Sequence, residues 1–386
     1  MTPDRSRERP RLLQVVEFDR PHGGSFVPLI RAVLEAAGDD GWEPMALLPE
    51  AAGRTSWIDS LREVADVRLA PERLQGSRLR RLRWLGAEIE SSSAPTIAHT
   101  HFTSWDVATL LAARSGRWGP ASVFWHIHSA LPRDPLVVAR STVKFGVLGR
   151  GTAGIICPAP NIALAVMQRL GPRARVHFVP SALDPGLYPL AGASDREAAR
   201  AALEIPVGAK VLLHFGWHPY LKGTDIFLEV AAEMLAADER IFALIRGHEE
   251  ESVELADRLG IADRVRFQPP VPDAATLFAA ADVVVSSSRE EGMAYTVLEA
   301  LSTGTPVVAS AIPGHAYIGE QVEACRITTV EPEALRSTIA ATLELSADER
   351  ARQGEQAHRW IVENLSTEAI SKQLLDLYGR ALSGGD

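Results

Sequence analysis

The first half of the chain alternates short apolar runs with longer segments of helical periodicity. Two of the longer segments, Phe26–Ala37 and Asp106–Arg114, place their apolar residues on one face of a helix. The short runs have the composition of buried strands, and they are LLQVVEF, PTIAHTHF, ASVFWHIH, GIICPA and RVHFVP. Because parallel strands require long crossover connections, this alternation predicts βαβ units and a parallel sheet between Leu12 and about Pro180.

The stretch Leu183–Lys210 is rich in Pro, Gly and Ala and interrupts this rhythm, with one short helix expected inside it. The pattern then restarts, with predicted strands VLLHFG, IFALIRG, VRFQPP, ADVVVSSS and TPVVAS and predicted helices Asp225–Ala237, Glu250–Leu259 and about Val297–Ser302. From Ser346 the sequence predicts two helices separated near residue 365, with Ser366 a candidate N-cap.

The predicted elements indicate two α/β domains, each a Rossmann-like, doubly wound parallel sheet. We expect an N-terminal domain over residues 1–182, a C-terminal domain over 183–365 and a last helical segment over 366–386. Ligands of such sheets bind at the carboxyl ends of the strands, so a cleft faced by both domains is the expected ligand site.

The composition is that of a folded globular protein. Of the 386 residues, 46% are apolar and 23% are charged, which excludes disordered, collagen-like and coiled-coil classes. The net charge of −9 argues against sequence-independent binding of nucleic acid, so an anionic ligand needs a local site. Two distant cysteines, Cys157 and Cys325, form neither a disulfide framework nor a four-ligand zinc site by themselves. With no secretory or membrane-spanning pattern, a cytoplasmic location is expected.

The segment SSSREEGMAYTVLEALSTGTPVVAS pairs a buried strand end with a glycine-containing loop that opens a helix. Glu291 stands at the exit of the strand, where a carboxylate can accept hydrogen bonds from sugar hydroxyls. The amides of Gly292, Met293 and Ala294 at the helix N-terminus can bind an anion such as a diphosphate. Glu299 lies two turns into the helix, within reach of a ribose. Spacing alone also allows a surface loop followed by an ordinary amphipathic helix.

EEGMAYTVLEALSTGTPVV resembles the signature of the retaining family 4 glycosyltransferases of GT-B fold, the glycosyl transferases group 1. In that family two glutamates with seven residues between them flank a glycine-containing donor loop. The segments VLLHFGWHPYLKGTDIFLEVAAEML, IFALIRGHEE, PTIAHTHF and VFWHIHSA are similar to further parts of the family pattern. The resemblance implies a nucleotide-sugar donor, a UDP- or GDP-sugar, transfer with retention, and no metal or other cofactor.

Lys222 and Gly223 follow a predicted strand, so the lysine can project into a ligand site while the glycine opens the next helix. The resemblance places this lysine on the donor diphosphate, although a solvated surface lysine would fit the local sequence. The family pattern carries an arginine just after the glycine, whereas here Gly216 is followed by Trp217 and His218. His218, an arginine from elsewhere or the helix amides could take over the missing positive charge.

The predicted first strand runs into DRPHGGSF, where Gly23 and Gly24 allow a tight turn and Ser25 can cap the next helix. This turn resembles the family loop that closes over the diphosphate and the acceptor. An ordinary turn would need the same two glycines.

Two His-x-His pairs, His99 with His101 and His126 with His128, lie on predicted strands, where residues two apart share a face. Such pairs can build a zinc site, but no nearby cluster of Asp, Glu or Cys completes one, and the family that the sequence resembles is metal-independent. The resemblance places His128 near the 6-position of the transferred sugar, with His126 as the reserve. Structural histidines at strand ends are the alternative.

Three further patterns concern dinucleotide binding, Mg²⁺ binding and contact with lipid. GRGTAG precedes a predicted strand instead of following one, so it is rejected as a dinucleotide site. The absence of Asp-x-Asp argues against diphosphate held through Mg²⁺. RLQGSRLRRLRWLGAEI carries arginines between Arg73 and Arg83 on an amphipathic helix, which is a candidate contact with anionic lipid or, as the bland alternative, a solvated flank.

These features predict a retaining glycosyltransferase with Glu291, Lys222 and His128 as its catalytic residues. It would move a hexosyl-type group from a nucleotide-diphospho-sugar to the hydroxyl of a small polyol or natural product, a glycan or a lipid carrier. A nucleotide-sugar hydrolase or epimerase of the same fold and a non-catalytic nucleotide-sugar-binding subunit are the alternatives. An oxidoreductase would need a dinucleotide fingerprint that GRGTAG does not supply.

Overall fold

The computed structural model describes residues 9–74, 77–102, 104–114, 121–128, 141–171, 175–247, 249–268 and 274–384. It divides the chain into two compact units. Unit 1 comprises Met1–Ala182 with Thr367–Asp386, and unit 2 comprises Leu183–Ser366. The last helical segment therefore belongs to the same unit as the N-terminal half.

Within its described residues, unit 1 contains a sheet of seven parallel strands in the order β3-β2-β1-β4-β5-β6-β7. The strands are β1 (Arg11–Val16), β2 (Glu43–Pro49), β3 (Asp66–Ala70), β4 (Thr96–His101), β5 (Ala121–His126), β6 (Gly154–Cys157) and β7 (Val176–Phe178). Its α-helices are α1 (Phe26–Asp39), α2 (Ile58–Arg62), α3 (Arg78–Glu90), α4 (Asp106–Arg114) and α5 (Pro160–Leu170), together with α15 (Thr367–Leu382) from the C-terminal segment.

Helix α15 completes the core of unit 1. Its apolar face buries Ile370, Leu374 and Tyr378 in one cluster with Leu12 of β1 and Ile97 of β4. Removing fully buried side chains of this size from water contributes about 1.5–3 kcal/mol each. The C-terminal segment is therefore an integral part of the N-terminal fold.

In the described part of unit 2, six parallel strands form a second sheet in the order β10-β9-β8-β11-β12-β13. The strands are β8 (Lys210–Phe215), β9 (Ile241–Arg246), β10 (Val265–Gln268), β11 (Val283–Ser286), β12 (Val307–Ser310) and β13 (Cys325–Thr328). The helices are α6 (Ala193–Ala202), α7 (Pro219–Lys222), α8 (Thr224–Ala237), α9 (Glu250–Arg258), α10 (Ala275–Ala280), α11 (Tyr295–Ser302), α12 (Pro313–Gly319), α13 (Pro332–Leu343) and α14 (Ala347–Leu365).

The Pro- and Gly-rich stretch that interrupts the pattern is part of unit 2. Leu183, Ala199, Ile205 and Ala209 from it are all buried in the same apolar cluster as helix α11. Helix α6 is the short helix expected there. The composition of this stretch marks the boundary, but the segment packs on the sheet that follows it.

The prediction of a doubly wound α/β fold is confirmed, but three strands escaped the sequence pattern. Strands β2 and β3 lie on either side of the short helix α2. Strand β2 has a proline near each end, Pro44 and Pro49. Strand β13 has four residues and only partly buried side chains after Cys325. Strands β3 and β13 lack the apolar run on which the prediction depended, whereas β2 contains the buried run Met45–Leu48 between two prolines, which are uncommon inside strands.

Both sheets have a point at which the strand order reverses. In unit 1 this point lies between β1 and β4, and in unit 2 between β8 and β11. The connections leave these neighbouring strands in opposite directions, which opens a crevice at the carboxyl ends of the strands. The two crevices are therefore the places in each unit where loops can hold a ligand.

Every helix in the described ranges is too short or too polar to span a lipid bilayer.

Candidate functional site

The loops that follow β8 and β11 meet at the switch point of unit 2. After β8 the chain passes Gly216 and forms the short helix α7, which ends at Lys222. After β11 it forms the loop that contains Glu291 and then enters α11. The sheet thus brings together two segments that lie about 70 residues apart in sequence.

Lys222 and Glu291 form an ion pair at this point. The Nζ atom of Lys222 lies 2.5 Å from Oε1 of Glu291, and the hydroxyl of Ser288 donates to the same carboxylate oxygen at 2.8 Å. Their side chains are 17% and 14% exposed. Partial burial lowers the effective dielectric, so each charge acts strongly on a ligand at this place. The structure therefore brings together the two residues to which the sequence gives catalytic roles.

Gly223 holds Lys222 in place. Its φ of +66° is in the left-handed region, and a Cβ atom added there would collide with the carbonyl oxygen of Ser287. The hydroxyl of Ser287 donates to the carbonyl of Gly223 at 2.8 Å. Only glycine allows this close approach of the two backbones, because any side chain would push the loops apart. The Lys-Gly pair is thus required by geometry as well as by charge.

Arg289 provides a second tie between the two loops. Its guanidinium binds Asp225 through two hydrogen bonds of 2.8 and 2.6 Å and donates to the carbonyl of Tyr220 at 2.6 Å. It also lies 4.4 Å from the centre of the Tyr220 ring. Bidentate arginine–carboxylate contacts are the most directional of ion pairs. The sequence prediction missed Arg289, although it lies inside the motif only two residues before Glu291.

Helix α12 packs against the glycine-containing loop. A Cβ atom on Gly314 would lie 2.7 Å from the carbonyl oxygen of Glu291, so the helix packs directly against this loop. His315 is buried beside it, with its ring nitrogens 3.2 Å from the Ser286 hydroxyl and 3.0 Å from the Ser310 carbonyl. Burial lowers the pKa of His315, so its ring is neutral and joins the two strand ends through hydrogen bonds.

The predicted anion-binding amides lie at the start of α11. The helix begins at Tyr295, with Ala294 as its N-cap residue. The side chains of Met293 and Ala294 are buried in the apolar core, so only their backbone groups can face a ligand. Gly292, Met293 and Ala294 therefore precede the first turn of α11, in which the amides of Val297 and Leu298 donate to the carbonyl of Ala294. Glu299, further along the same helix, is buried with 8% exposure.

Trp217, the residue after Gly216, stacks against Arg246 at the end of the neighbouring strand β9. The guanidinium carbon of Arg246 is 5.1 Å from the Trp217 ring centre, and Nζ of Lys222 is 5.9 Å from that same ring. Burial lowers the pKa of Arg246, and the negative charge of Glu299 opposes this shift. Gly247, which follows Arg246, is described, whereas His248 lies outside the described residues.

In unit 1 the loop after β1 contains Gly23, Gly24 and Ser25. Gly24 has a φ of +53°, which favours glycine, and a Cβ atom on Gly23 would approach Val27 to 2.9 Å. The prediction that Ser25 caps α1 through its side chain is wrong. Ser25 already has helical backbone angles and its side chain makes no capping hydrogen bond, because a capping hydroxyl needs an extended backbone to reach the helix amides.

The four predicted histidines form one cluster at the switch point of unit 1. The His99 and His101 rings lie 4.1 Å apart, the His126 and His128 rings 4.2 Å apart, and the two pairs about 5.2 and 5.3 Å from each other. The hydroxyl of Tyr378 contacts Nδ1 of His99 at 2.6 Å. Burial lowers the pKa of His99 and of His128 to about 3, and it lowers those of His101 and His126 strongly. All four rings are therefore neutral at pH 7.

A chain of hydrogen bonds fixes the tautomers in this cluster. Oε1 of Gln14 lies 2.7 Å from Nε2 of His101, and because an amide oxygen only accepts, that nitrogen carries the proton. Nδ1 of His101 is then an acceptor and receives the Nε2 proton of His128 across 3.0 Å. The remaining nitrogen of His128, Nδ1, is left with a lone pair. His128 can thus accept a hydrogen bond from a hydroxyl group, but it cannot act as an acid at neutral pH.

Hydrogen bonds in the cluster occupy ligand atoms that a zinc ion would need. In the described part of the chain, His99, His101 and His126 place ligand atoms within 4.8 Å of one another. Zinc–nitrogen bonds of about 2.0–2.1 Å require ligand atoms about 3.4 Å apart in a tetrahedral site. Both nitrogens of His101 are already engaged, with Gln14 and His128. Binding zinc would require breaking these hydrogen bonds.

The arginine-rich stretch forms α3. Arg80 and Arg83 are exposed on it, whereas Arg81 lies 5.7 Å from the Trp105 ring and donates to the carbonyl of Ser104 at 3.3 Å. The side chains of Arg73 and Arg78 lie outside the described residues. One of the predicted lipid-facing arginines is therefore used for packing within unit 1.

The chain matches known proteins along unit 2 and in its overall fold. Residues 195–360 match the family model described as Glycosyl transferases group 1. The D-inositol 3-phosphate glycosyltransferase of Segniliparus rotundus is 33% identical over 221 residues, which cover 55% of this chain and 48% of the relative. The protein of the same name from Mycobacterium tuberculosis is 35% identical over 199 residues, covering 49% of this chain and 41% of the relative. The chain spans about half the length of these curated relatives.

Solved structures show the same fold. A glycosyltransferase from Rickettsia africae matches with a TM-score of 0.80 at 15% identity, covering 98% of this chain and 100% of that chain. HepE from Anabaena, solved in complex with UDP and glucose, matches with a TM-score of 0.78 at 19% identity, covering 96% of this chain and 99% of that chain. Residues 195–360 therefore match the glycosyl transferases group 1 family, and the chain has the GT-B fold.

Proposed function

We propose that this chain is a retaining, metal-independent glycosyltransferase. It moves a hexosyl-type group from a UDP- or GDP-sugar to an acceptor hydroxyl. The observation that carries the proposal is the meeting of Lys222 and Glu291 at the switch point of unit 2, beside the N-terminus of α11. The similar HepE structures, solved with UDP and glucose and with UDP-glucose, support the choice of donor.

The two charged residues have different tasks in this proposal. Lys222 and the amides of Gly292 to Ala294 stabilise the diphosphate as it leaves. A unit charge about 4 Å from a phosphate oxygen contributes about 4 kcal/mol at an effective dielectric near 20. Glu291 accepts hydrogen bonds from sugar hydroxyls and orients the ring. Glu299 binds the ribose, and Gly216 lets the donor approach the backbone.

The reaction proceeds at one face of the sugar. The bond between the anomeric carbon and the diphosphate oxygen breaks while a bond to the acceptor oxygen forms on the same side. The acceptor proton passes to the departing diphosphate, so no side chain has to act as base. His128 takes part as a neutral hydrogen-bond acceptor near the 6-position of the sugar, which agrees with its lowered pKa.

The direct test is Glu291→Gln, with Glu290→Gln as its matched control at the neighbouring position. Loss of one preorganised contact to the transition state lowers turnover by about 10²–10³-fold. We expect that loss for Glu291→Gln and turnover within about three-fold of wild type for Glu290→Gln. Turnover of Glu291→Gln within a few-fold of wild type would remove Glu291 from the mechanism.

The same assay separates the alternatives. Nuclear magnetic resonance of the product reports the anomeric configuration, and assays with EDTA report any need for a metal. Free monosaccharide released at the same rate with and without acceptor would indicate a hydrolase instead. Nucleotide-sugar binding without turnover would indicate a binding subunit.

The acceptors to test first are polyol phosphates, because the curated relatives are named for D-inositol 3-phosphate. Glycans and lipid-linked carriers follow. For lipid-linked acceptors, the exposed Arg80 and Arg83 of α3 supply a candidate contact with anionic membrane. Flotation with anionic vesicles tests this contact, and an unchanged bound fraction for Arg80→Gln/Arg83→Gln would refute it.

A further inference from the structure

Among the charged residues that the proposed function uses in unit 2, one is positive and two are negative, and Arg246 adds a second cation. Lys222 and Arg246 are positive, and Glu291 and Glu299 are negative. Without Arg246 the group would carry a net charge of −1, and Lys222 is already paired with Glu291 at 2.5 Å. A nucleoside diphosphate carries several negative charges, so a site of net negative charge would repel it. A second cation is needed beside Lys222.

Arg246 is placed directly beside the strand end that carries the donor-binding glycine. In the sheet, Arg246 of β9 pairs with Phe215 of β8, and the amide of Gly216 donates to the carbonyl of Arg246 at 2.9 Å. The guanidinium lies 5.7 Å from the Phe215 ring and 5.1 Å from the Trp217 ring. This double stacking holds the planar guanidinium at the carboxyl end of the sheet, where ligands bind.

The Trp217 ring connects the two cations. Nζ of Lys222 lies 5.9 Å from the ring centre, and the guanidinium carbon of Arg246 lies 5.1 Å from it. Both charges therefore border the same side chain, which stands in the position where the sequence pattern calls for an arginine. His218, the other replacement considered from sequence, is exposed on a left-handed residue with φ of 58°. An exposed imidazole is a weaker electrostatic partner than a half-buried guanidinium.

We propose that Arg246, stacked on Trp217, binds the donor diphosphate together with Lys222. This assignment rests on the proposed function of the same site. The guanidinium offers two parallel N–H groups to phosphate oxygens, while Trp217 fixes its plane. The family pattern has its arginine after the end of β8, whereas in this chain the arginine is at the end of the neighbouring strand β9. Arg246 is a binding residue for the diphosphate, with no role in binding an uncharged nucleoside.

Calorimetric titration of the full chain with nucleoside, nucleoside monophosphate and nucleoside diphosphate tests the assignment, using the base that wild type prefers. Arg246→Met keeps the length and apolar stacking of the side chain and removes its charge. We expect diphosphate affinity to fall by on the order of 10- to 100-fold and nucleoside affinity to change by less than about two-fold. The slope of diphosphate affinity against salt should become shallower as well.

Arg266→Met is the matched control. Arg266 lies on the adjacent strand β10, also stacks on an aromatic ring, with 5.1 Å from its guanidinium carbon to the Phe242 ring centre, and donates to the Leu203 carbonyl. Its loss should leave the ratio of diphosphate to nucleoside affinity unchanged. Arg246→Lys retains charge without the planar fork and should lie between wild type and Arg246→Met. The double variant Arg246→Met/Trp217→Arg should regain part of the lost diphosphate affinity.

The outcomes separate this inference from the proposed function. Wild type that binds no nucleoside diphosphate or nucleotide-sugar would overturn both. Wild type that binds diphosphate tightly, together with Arg246→Met that binds it within two-fold, would overturn only the role of Arg246. Because the affinity ratio is taken on one protein preparation, a variant with lowered melting temperature still gives a decisive value, and Arg246→Lys supplies a second one.

Discussion

The two units have the same type of sheet, but the chemistry at their switch points is opposite. In unit 2 the loops after β8 and β11 and the end of β9 bring together Lys222, Glu291 and Arg246, all charged and partly buried. In unit 1 the ends of β4 and β5, beside β1, carry a cluster of histidines that burial keeps neutral. The fold positions ligands at both places, and the side chains decide which ligand each can take.

This difference fits a division of labour between the units. A charged diphosphate is stabilised by cations and helix amides, which unit 2 provides. Neutral hydroxyl groups are recognised by neutral hydrogen-bonding groups, and His128 in unit 1 offers an acceptor of that kind. A neutral, aromatic surrounding also avoids attracting a second anion. The comparison therefore predicts that mutations in unit 2 affect the binding of charge, whereas mutations in unit 1 affect stability and the orientation of neutral groups.

The largest effect is expected from Lys222→Met. Removing the cation beside the leaving diphosphate should lower turnover by about 10²–10³-fold, measured with saturating donor. Lys210→Met is the matched control, since Lys210 is also a partly buried lysine of unit 2, ion-paired at 2.8 Å with Glu344. If the two variants lose activity equally, the effect comes from general damage to unit 2 and the comparison fails.

The second prediction concerns the close approach of the two donor loops. Gly223→Ala places a methyl group against the Ser287 carbonyl, so we expect the strain of a left-handed alanine, about 1–3 kcal/mol, plus displacement of Lys222 and weaker diphosphate binding. Gly208→Ala has the same backbone problem, with φ of +78°, but has open space around its Cβ position. Both variants should lose stability in denaturant titrations, and only Gly223→Ala should lose binding. Equal binding by the two would show that the loop contact is irrelevant to the site.

The third prediction is a pH dependence of stability that arises in unit 1. The folded-state pKa values of its clustered histidines lie below the value of about 6.5 in the unfolded chain. As the pH falls below 6.5 the unfolded chain binds protons first, so this stability is complete above pH 6.5 and decreases below it. Each histidine that remains neutral contributes a loss of about 1.4 kcal/mol per pH unit.

Unfolding free energies at pH 7, 6 and 5 would measure this slope. His126→Asn should reduce this slope by the contribution of one histidine, about 1.4 kcal/mol per pH unit. His214 and His315 of unit 2 also have lowered pKa values, but the cluster in unit 1 has four such histidines. Hydrogen exchange of β4 and β5 should therefore respond to acid more strongly than that of β8 and β11. A slope unaffected by His126→Asn would mean that the cluster is charged or open in the folded protein.

The sequence predicted those parts of the site that lie close to strand ends in contiguous motifs. Lys222 and Glu291 follow apolar runs directly, so their position at the carboxyl edge of a parallel sheet could be inferred. Gln14 and Tyr378 could not, because they reach the histidine cluster from distant elements; Tyr378 lies 279 residues from His99. The position of Arg246 beside Trp217 could not be predicted either, because their stacking depends on the pairing of β8 with β9.

The central claim is that unit 2 holds a metal-independent site for a nucleoside diphosphate. Its most direct test is the melting temperature of the purified chain with UDP, GDP, ADP and TDP and their sugar conjugates, with EDTA present throughout. A ligand at 100 times its Kd stabilises the native state by about 2.7 kcal/mol. The account predicts a clear rise with one nucleotide family, undiminished by EDTA and absent in Lys222→Met. No rise with any of these ligands, or a rise that Lys222→Met retains in full, would contradict it.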